Sequence, residues 1–180
     1  ATDVSGILSS DATWSLSGSP YSVTGDVQIP SGVKLTIESG VVVQFEGAYE
    51  ILVKGSVAVN GTQAQPVIFQ SPTEGTSSGA TVFHFKETDL SLSSMSHVKF
   101  SDAAYSLRIG GSSNVNTFSV DTIELIRAGV LTDPGGKYQD RKVILDNATL
   151  NSTTVRTSYP NSEKVEIRNG TITDSIISSD

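Results

Sequence analysis

The chain has 180 residues, with 12 Lys and Arg against 19 Asp and Glu, a net charge of −7. No cluster of basic residues offsets that balance, which argues against a nucleic-acid partner and against docking on anionic lipid. Cysteine is absent, which removes disulfides and thiolate metal sites, and no apolar run reaches the length of a membrane span. Ser and Thr make up about a quarter of the chain and charged residues only 17%. β-Branched and small polar residues in that proportion favour strands, in a chain of a size for one domain with a single core.

Taken in order, residues 1–20 hold the only tryptophan, Trp14, with Ile7 and Leu8 nearby. They are expected to form an N-terminal cap, and residues 21–180 a single domain, part of a longer natural chain. The stretch 33–61, VKLTIESGVVVQFEGAYEILVKGSVAVNG, reads as four short strands. Apolar residues alternate at Val33, Leu35 and Ile37, at Val41, Val43 and Phe45, at Ile51 and Val53, and at Val57 and Val59. Period-two alternation predicts one buried face and one wet face. Lys34, Thr36, Gln44, Glu50 and Lys54 then point outward.

Further along, His84 and His97 sit in FHFK and SHVKF, where inward Phe83, Phe85, Val98 and Phe100 would turn both imidazoles outward. With no third ligand at a matching spacing, zinc is not expected. The pair Gly110 and Gly111 reads as a turn. Asp121–Ala128 (DTIELIRA) is the best helical stretch, but it is short and Gly129 follows at once. DPGGKYQD, from Asp133 to Asp140, reads as a projecting turn; Asp133 and Asp140 are its candidate ligands for a hard cation such as calcium, without the alternating acids of an EF-hand. No other cofactor is implied.

A longer period overlies the alternation. Leu35 and Ile37 recur as Val57 and Val59, at an offset of 22. VILDNATLNSTTV (143–155) aligns with VEIRNGTITDSII (165–177) at the same spacing, pairing Asn147 with Asn169, and Ile144 with Glu166 at a position expected to face solvent. IRAGVLTD (126–133) also resembles IRNGTITD (167–174), an offset of 41 close to two periods, which would align Arg127 with Arg168 and Asp133 with Asp174. Repeats of this length made of several short strands are the mark of a β-solenoid, in which stacked turns share one core. The period predicts an all-β solenoid of about six or seven coils, each of roughly 20–24 residues. Its last coil, VEIRNGTITDSIISSD, has no lid after it, so another copy or further chain is expected to cover it.

Residues 10–70 carry a family resemblance. TWSLSGSPYSVTGDVQIPSGVKLTIESGVVVQFEG and LVKGSVAVNGTQAQPVIFQS resemble the N-terminal turns of right-handed parallel β-helix repeat proteins of the pectate-lyase-like superfamily. The resemblance implies that the all-β solenoid is a right-handed parallel β-helix, and it implies a secreted or cell-surface setting. It does not select an activity, because such proteins include adhesins, carbohydrate binders, polysaccharide lyases and hydrolases.

Four of the seven asparagines stand in Asn-x-Ser/Thr, namely Asn60, Asn147, Asn151 and Asn169. They are candidates for glycosylation or, for the stacked pair Asn147 and Asn169, for a ladder of amides. The acids are dispersed, with no adjacent-coil stack that joins two carboxylates to an Arg or Lys, as polysaccharide cleavage would require. A row of Thr-x-Thr motifs, which ice binding needs, is irregular: Thr171 and Thr173 are preceded by Thr149 and Asn151, and by Val130 and Thr132 under the offset of 41. The expected function is a non-catalytic extracellular module for adhesion and recognition, not an enzyme, binding a polysaccharide, an extracellular protein or another copy of itself. Tyr49 and Tyr105 are its candidate contact groups, since aromatic faces pack on sugars. The alternatives are a divergent polysaccharide lyase or hydrolase and, less favoured, an ice-binding protein.

Overall fold

A computed structural model describes residues 1–110, 117–133, 141–157 and 163–179. Strands follow one another almost without interruption. The first half contains β1 (Thr2–Ile7), β2 (Ala12–Trp14), β3 (Tyr21–Ile29), β4 (Lys34–Ile37), β5 (Val42–Phe45), β6 (Glu50–Val53), β7 (Ser56–Asn60), β8 (Val67–Gln70) and β9 (Thr81–Lys86). Two long strands come next, β10 (Ser94–Gly110) and β11 (Thr117–Asp133). After them lie β12 (Arg141–Asp146), β13 (Thr149–Asn151), β14 (Thr154–Thr157), β15 (Glu163–Ile167), β16 (Thr171–Thr173) and β17 (Ile176–Ser179). The four strands expected within 33–61 are β4 to β7. The stretch 121–128 is strand rather than helix, because its residues continue β11 around two corners.

Every pairing among the described residues is parallel, and together they make a β-solenoid of about six turns with three faces. The first face stacks β2, β4, β7, the beginnings of β10 and β11, then β12 and β15. On the second lie the early parts of β1 and β3, then β5, β8, the middles of β10 and β11, β13 and β16. The third takes the ends of β1 and β3, β6, β9, the ends of β10 and β11, β14 and β17. Residues 1–20 are continuous with this stack: Thr2 aligns with Tyr21 and Ala12 with Leu35. Trp14 stacks on Tyr21 at 5.0 Å and closes that end of the core.

The alternation read from sequence places Leu35, Ile37, Val57 and Val59 inside, each 0–1% exposed and aligned in pairs. Burying such a side chain is worth about 1.5–3 kcal/mol, and a stack repeats that gain at each coil. Near the middle the core turns aromatic, with Phe69 lying flat on Phe100 at 5.0 Å and Phe83 edge-on to Phe69. In the last coil the inward column ends on Ile172 and Ile177, 47% and 56% exposed.

The register confirms the repeat at an offset of 22 for Val143 with Val165, Leu145 with Ile167 and Leu150 with Ile172. It overturns the offset of 41. Ile126 aligns with Asn151 and then Thr173, so neither Arg127 with Arg168 nor Asp133 with Asp174 shares a column. The cause is unequal coil length. The step from Ile126 to Asn151 is longer than the step from Asn151 to Thr173, and 41 is not a sum of actual coils. Ile144 also departs from expectation, being 9% exposed although it shares its column with the half-exposed Glu166.

Candidate functional site

Corners between faces are made by single residues in the left-handed region. His97, Thr122, Asn147 and Asn169 have φ of 47, 56, 47 and 48° and stand in successive coils where the first face turns into the second. Asp102, Arg127, Ser152 and Asp174, with φ of 57, 49, 52 and 47°, do the same between the second and third. Two insertions break the regular coil, 61–66 before β8 and 71–80 after it, on either side of the second face.

Between those insertions lies a groove. Two connected depressions, of about 250 and 460 Å³, share Lys99. Their floor is the outward surface of the second face. One column carries Lys99, Glu124, Thr149 and Thr171, and the next carries Ser101, Ile126, Asn151 and Thr173. Thr62, Gln63, Pro66 and His97 form one wall. Ser71, Pro72 and Glu74 form the other. On the floor, Lys99 Nζ lies 3.4 Å from Glu124 Oε2. His97 Nδ1 is buried and has no hydrogen-bond partner among the described residues.

The second wall is fastened by Asp102, whose side chain is only 3% exposed. Its carboxylate accepts from Arg127 Nε at 2.6 Å, from Arg127 Nη2 at 3.1 Å and from the Gly75 amide at 3.1 Å. Its backbone carbonyl accepts from the Ser78 amide at 3.0 Å. The Arg127 guanidinium holds this carboxyl below its ordinary value, outweighing burial, and Gly75 adds to the effect. Sequence reasoning misses both Asp102 with Arg127 and Lys99 with Glu124. Each pair is one coil apart at an offset of 25, whereas the visible repeats carry only the shorter offset of 22.

The expected site residues are scattered. Asn147 and Asn169 do share a corner column, but their amides do not bond to each other. Asn147 Nδ2 donates to Asp121 at 3.1 Å and Asn169 Nδ2 to Asp146 at 2.9 Å, each one coil earlier. Asn151 is exposed on the groove floor, and Asn60 is exposed where β7 ends. Tyr49 is partly buried against the core and lines neither depression. Tyr105 borders a separate hollow of about 370 Å³ at the corner of the second and third faces.

The two histidines stand apart. His84 lies on the third face, 13% exposed, with Nδ1 2.9 Å from Glu50 Oε2, whereas His97 is at a corner of the second. Among the described residues no group of three His, Asp or Glu is placed to hold a metal ion. Asp140 and the side chain of Asp133 lie outside the described residues, as does Gly111 of the expected Gly110–Gly111 turn. The Thr row also differs from expectation: Glu124 and Ile126, not Val130 and Thr132, precede Thr149 and Asn151. A charged residue therefore interrupts it.

No curated protein and no solved structure matches the chain. Residues 6–105, more than half of it, match the family described as "Pectate-lyase like beta helix domain". That match spans the first four coils, including both insertions that wall the groove. The parallel register and the family match agree, and the chain belongs to the pectate-lyase-like β-helix domain family.

Proposed function

We propose that the protein is a non-catalytic extracellular recognition module that holds a carbohydrate chain in the groove of its second face. One observation carries this reading: the two ions on the floor, Lys99 and Glu124, neutralise each other at 3.4 Å. What remains on the floor for a ligand is Ser101, Thr149 and Asn151 beside the apolar Ile126, with Glu74 on one wall. Neutral hydroxyls and an amide next to an apolar patch suit a sugar, which offers hydroxyls at its edge and C–H groups on its face.

The same arrangement weighs against cleavage. Glycoside hydrolysis needs two carboxyl groups facing each other across the bond, one of them able to give up a proton. Asp102 is bound on both oxygens by Arg127 and Gly75 and Glu124 is paired with Lys99, so Glu74 on the wall faces no second free carboxyl group among the described residues.

The test is calorimetric titration of neutral and acidic polysaccharides, with release of reducing or unsaturated ends followed in parallel. The expected result is binding of a neutral polysaccharide that Asn151→Ala weakens, with no ends released. Turnover on any polymer overturns the non-catalytic reading, and binding indifferent to Asn151→Ala overturns the location.

A further inference from the structure

At the corner of the second and third faces, the hollow beside Tyr105 has a makeup unlike the groove. We propose that it is a binding site for a tetrahedral oxyanion, carried as a sulfate ester or a phosphate monoester. The site stands independently of the carbohydrate reading, although Arg127 forms the ridge between the two concavities.

The hollow lies where the row of outward side chains on the third face is interrupted. Tyr105, Gly129 and Thr154 succeed each other at one outward position of the third face. Gly129 contributes no side chain and has no room for one, since a Cβ there would stand 2.8 Å from the Ala104 carbonyl oxygen, 3.0 Å from the Tyr105 ring and 3.3 Å from the Thr154 carbonyl oxygen. The space beside it, about 370 Å³, opens to solvent between coils.

Two arginines, Arg127 and Arg156, line that space, and among the described residues no carboxylate does. Arg127 meets Asp102 through Nε and Nη2, which fixes its plane and leaves the Nη1 edge unused by that pair. Arg156 is exposed and has no carboxylate partner among the described residues. Tyr105, Thr154 and Ser152 complete the lining, which draws on three consecutive coils; the Ser152 hydroxyl also donates to Asn151 Oδ1 at 3.2 Å. Donors spread over three coils and a corner are not coplanar. They suit an anion whose oxygens point in several directions better than a flat carboxylate. Because the chain carries a net charge of −7, long-range attraction does not explain anion binding, and screening limits such attraction to about 8 Å at physiological salt. Selectivity must then come from these local donors.

The experiment is a titration of the isotope-labelled protein followed by amide chemical shifts. Sodium sulfate, methyl phosphate and sodium acetate are compared with sodium chloride at equal ionic strength. Saturable shifts are expected at Tyr105, Gly129 and Thr154 with sulfate, methyl phosphate or both, and the stronger of the two identifies the ester. Arg156→Ala should weaken binding at least tenfold, and Arg156→Lys severalfold, since lysine keeps the charge and loses the fork. Lys99→Ala, in the groove, should leave it unchanged. Shifts no larger than those from chloride, acetate binding as tightly as sulfate, or indifference to Arg156→Ala in a protein with an undisturbed spectrum would each overturn the proposal.

Discussion

Asp102 and Arg127 stand one above the other on consecutive coils, both in the left-handed region, joined by bonds of 2.6 and 3.1 Å. The carboxylate also holds Gly75, so one buried acid ties a corner of the solenoid to the insertion that walls the groove. This arrangement makes acid sensitivity predictable. A carboxyl whose folded value lies below its ordinary 3.8 stabilises the fold fully above that value, and the stabilisation is lost as pH falls through the folded value. Urea unfolding should therefore show a wild-type midpoint that drops below about pH 4, a carboxyl range. Asp102→Asn should start about 2 kcal/mol lower at neutral pH, the scale of a charged hydrogen bond lost at a buried group, and decline less on acidification. Parallel acid limbs for the two proteins would show that Asp102 is not the group responsible.

Gly55 and Gly32 should respond to alanine for different reasons. A Cβ on Gly55 would lie 2.1 Å from the Val33 carbonyl oxygen and 2.3 Å from that of Pro30, with no flexible side chain to yield. Overpacking against backbone costs about 3 kcal/mol. Gly32 has open space around it but a φ of +81°. There alanine should cost only about 1 kcal/mol, for the left-handed conformation alone. Thermal or urea denaturation of the two variants checks the order, and a larger loss at Gly32 would contradict the close approach at Gly55.

The aromatic centre of the core should behave as a unit. Phe69 and Phe100 are both fully buried and lie 5.0 Å apart at aligned positions on the second face. Truncating either to alanine should cost about 3–5 kcal/mol. The double variant should cost less than the two losses added, because the second truncation removes contacts already lost with the first. Additive losses in a double-mutant cycle would mean that the stack contributes nothing beyond separate burial.

The parts legible in the sequence are those that repeat. Leu35 with Val57 and Val143 with Val165 can be paired by eye because both pairs share one offset and both inward positions are apolar. Coils of other lengths defeat that reading. Local similarity matches Ile126 to Ile167, although its neighbours in the column are Ser101 and Asn151. The groove is hidden for a related reason. Its floor comes from outward positions such as Lys99 and Glu124, whose identities change freely from coil to coil. Its walls come from the insertions 61–66 and 71–80, which break the period that makes the fold readable. The pairing of Asn147 with Asn169 is correct, but nothing in their spacing tells that each amide reaches an aspartate of the coil before.

That corner column offers a gain in stability. Thr122 sits at φ 56°, a conformation in which a β-branched side chain is crowded, whereas Asn147 and Asn169 occupy the same place one and two coils on. Thr122→Asn should therefore stabilise the fold by about 1 kcal/mol, at the low end of the strain for a non-glycine residue there. The benefit should be conformational only. Asn147 bonds to Asp121, but an asparagine at 122 would find Ser96 rather than an aspartate in the coil before it. Thr122→Val, which keeps the branch and removes the hydroxyl bond to Asp121 at 3.2 Å, should bring no gain. Urea midpoints that rise for Asn and not for Val would assign the effect to the backbone; a rise for both would assign it to the lost hydroxyl instead.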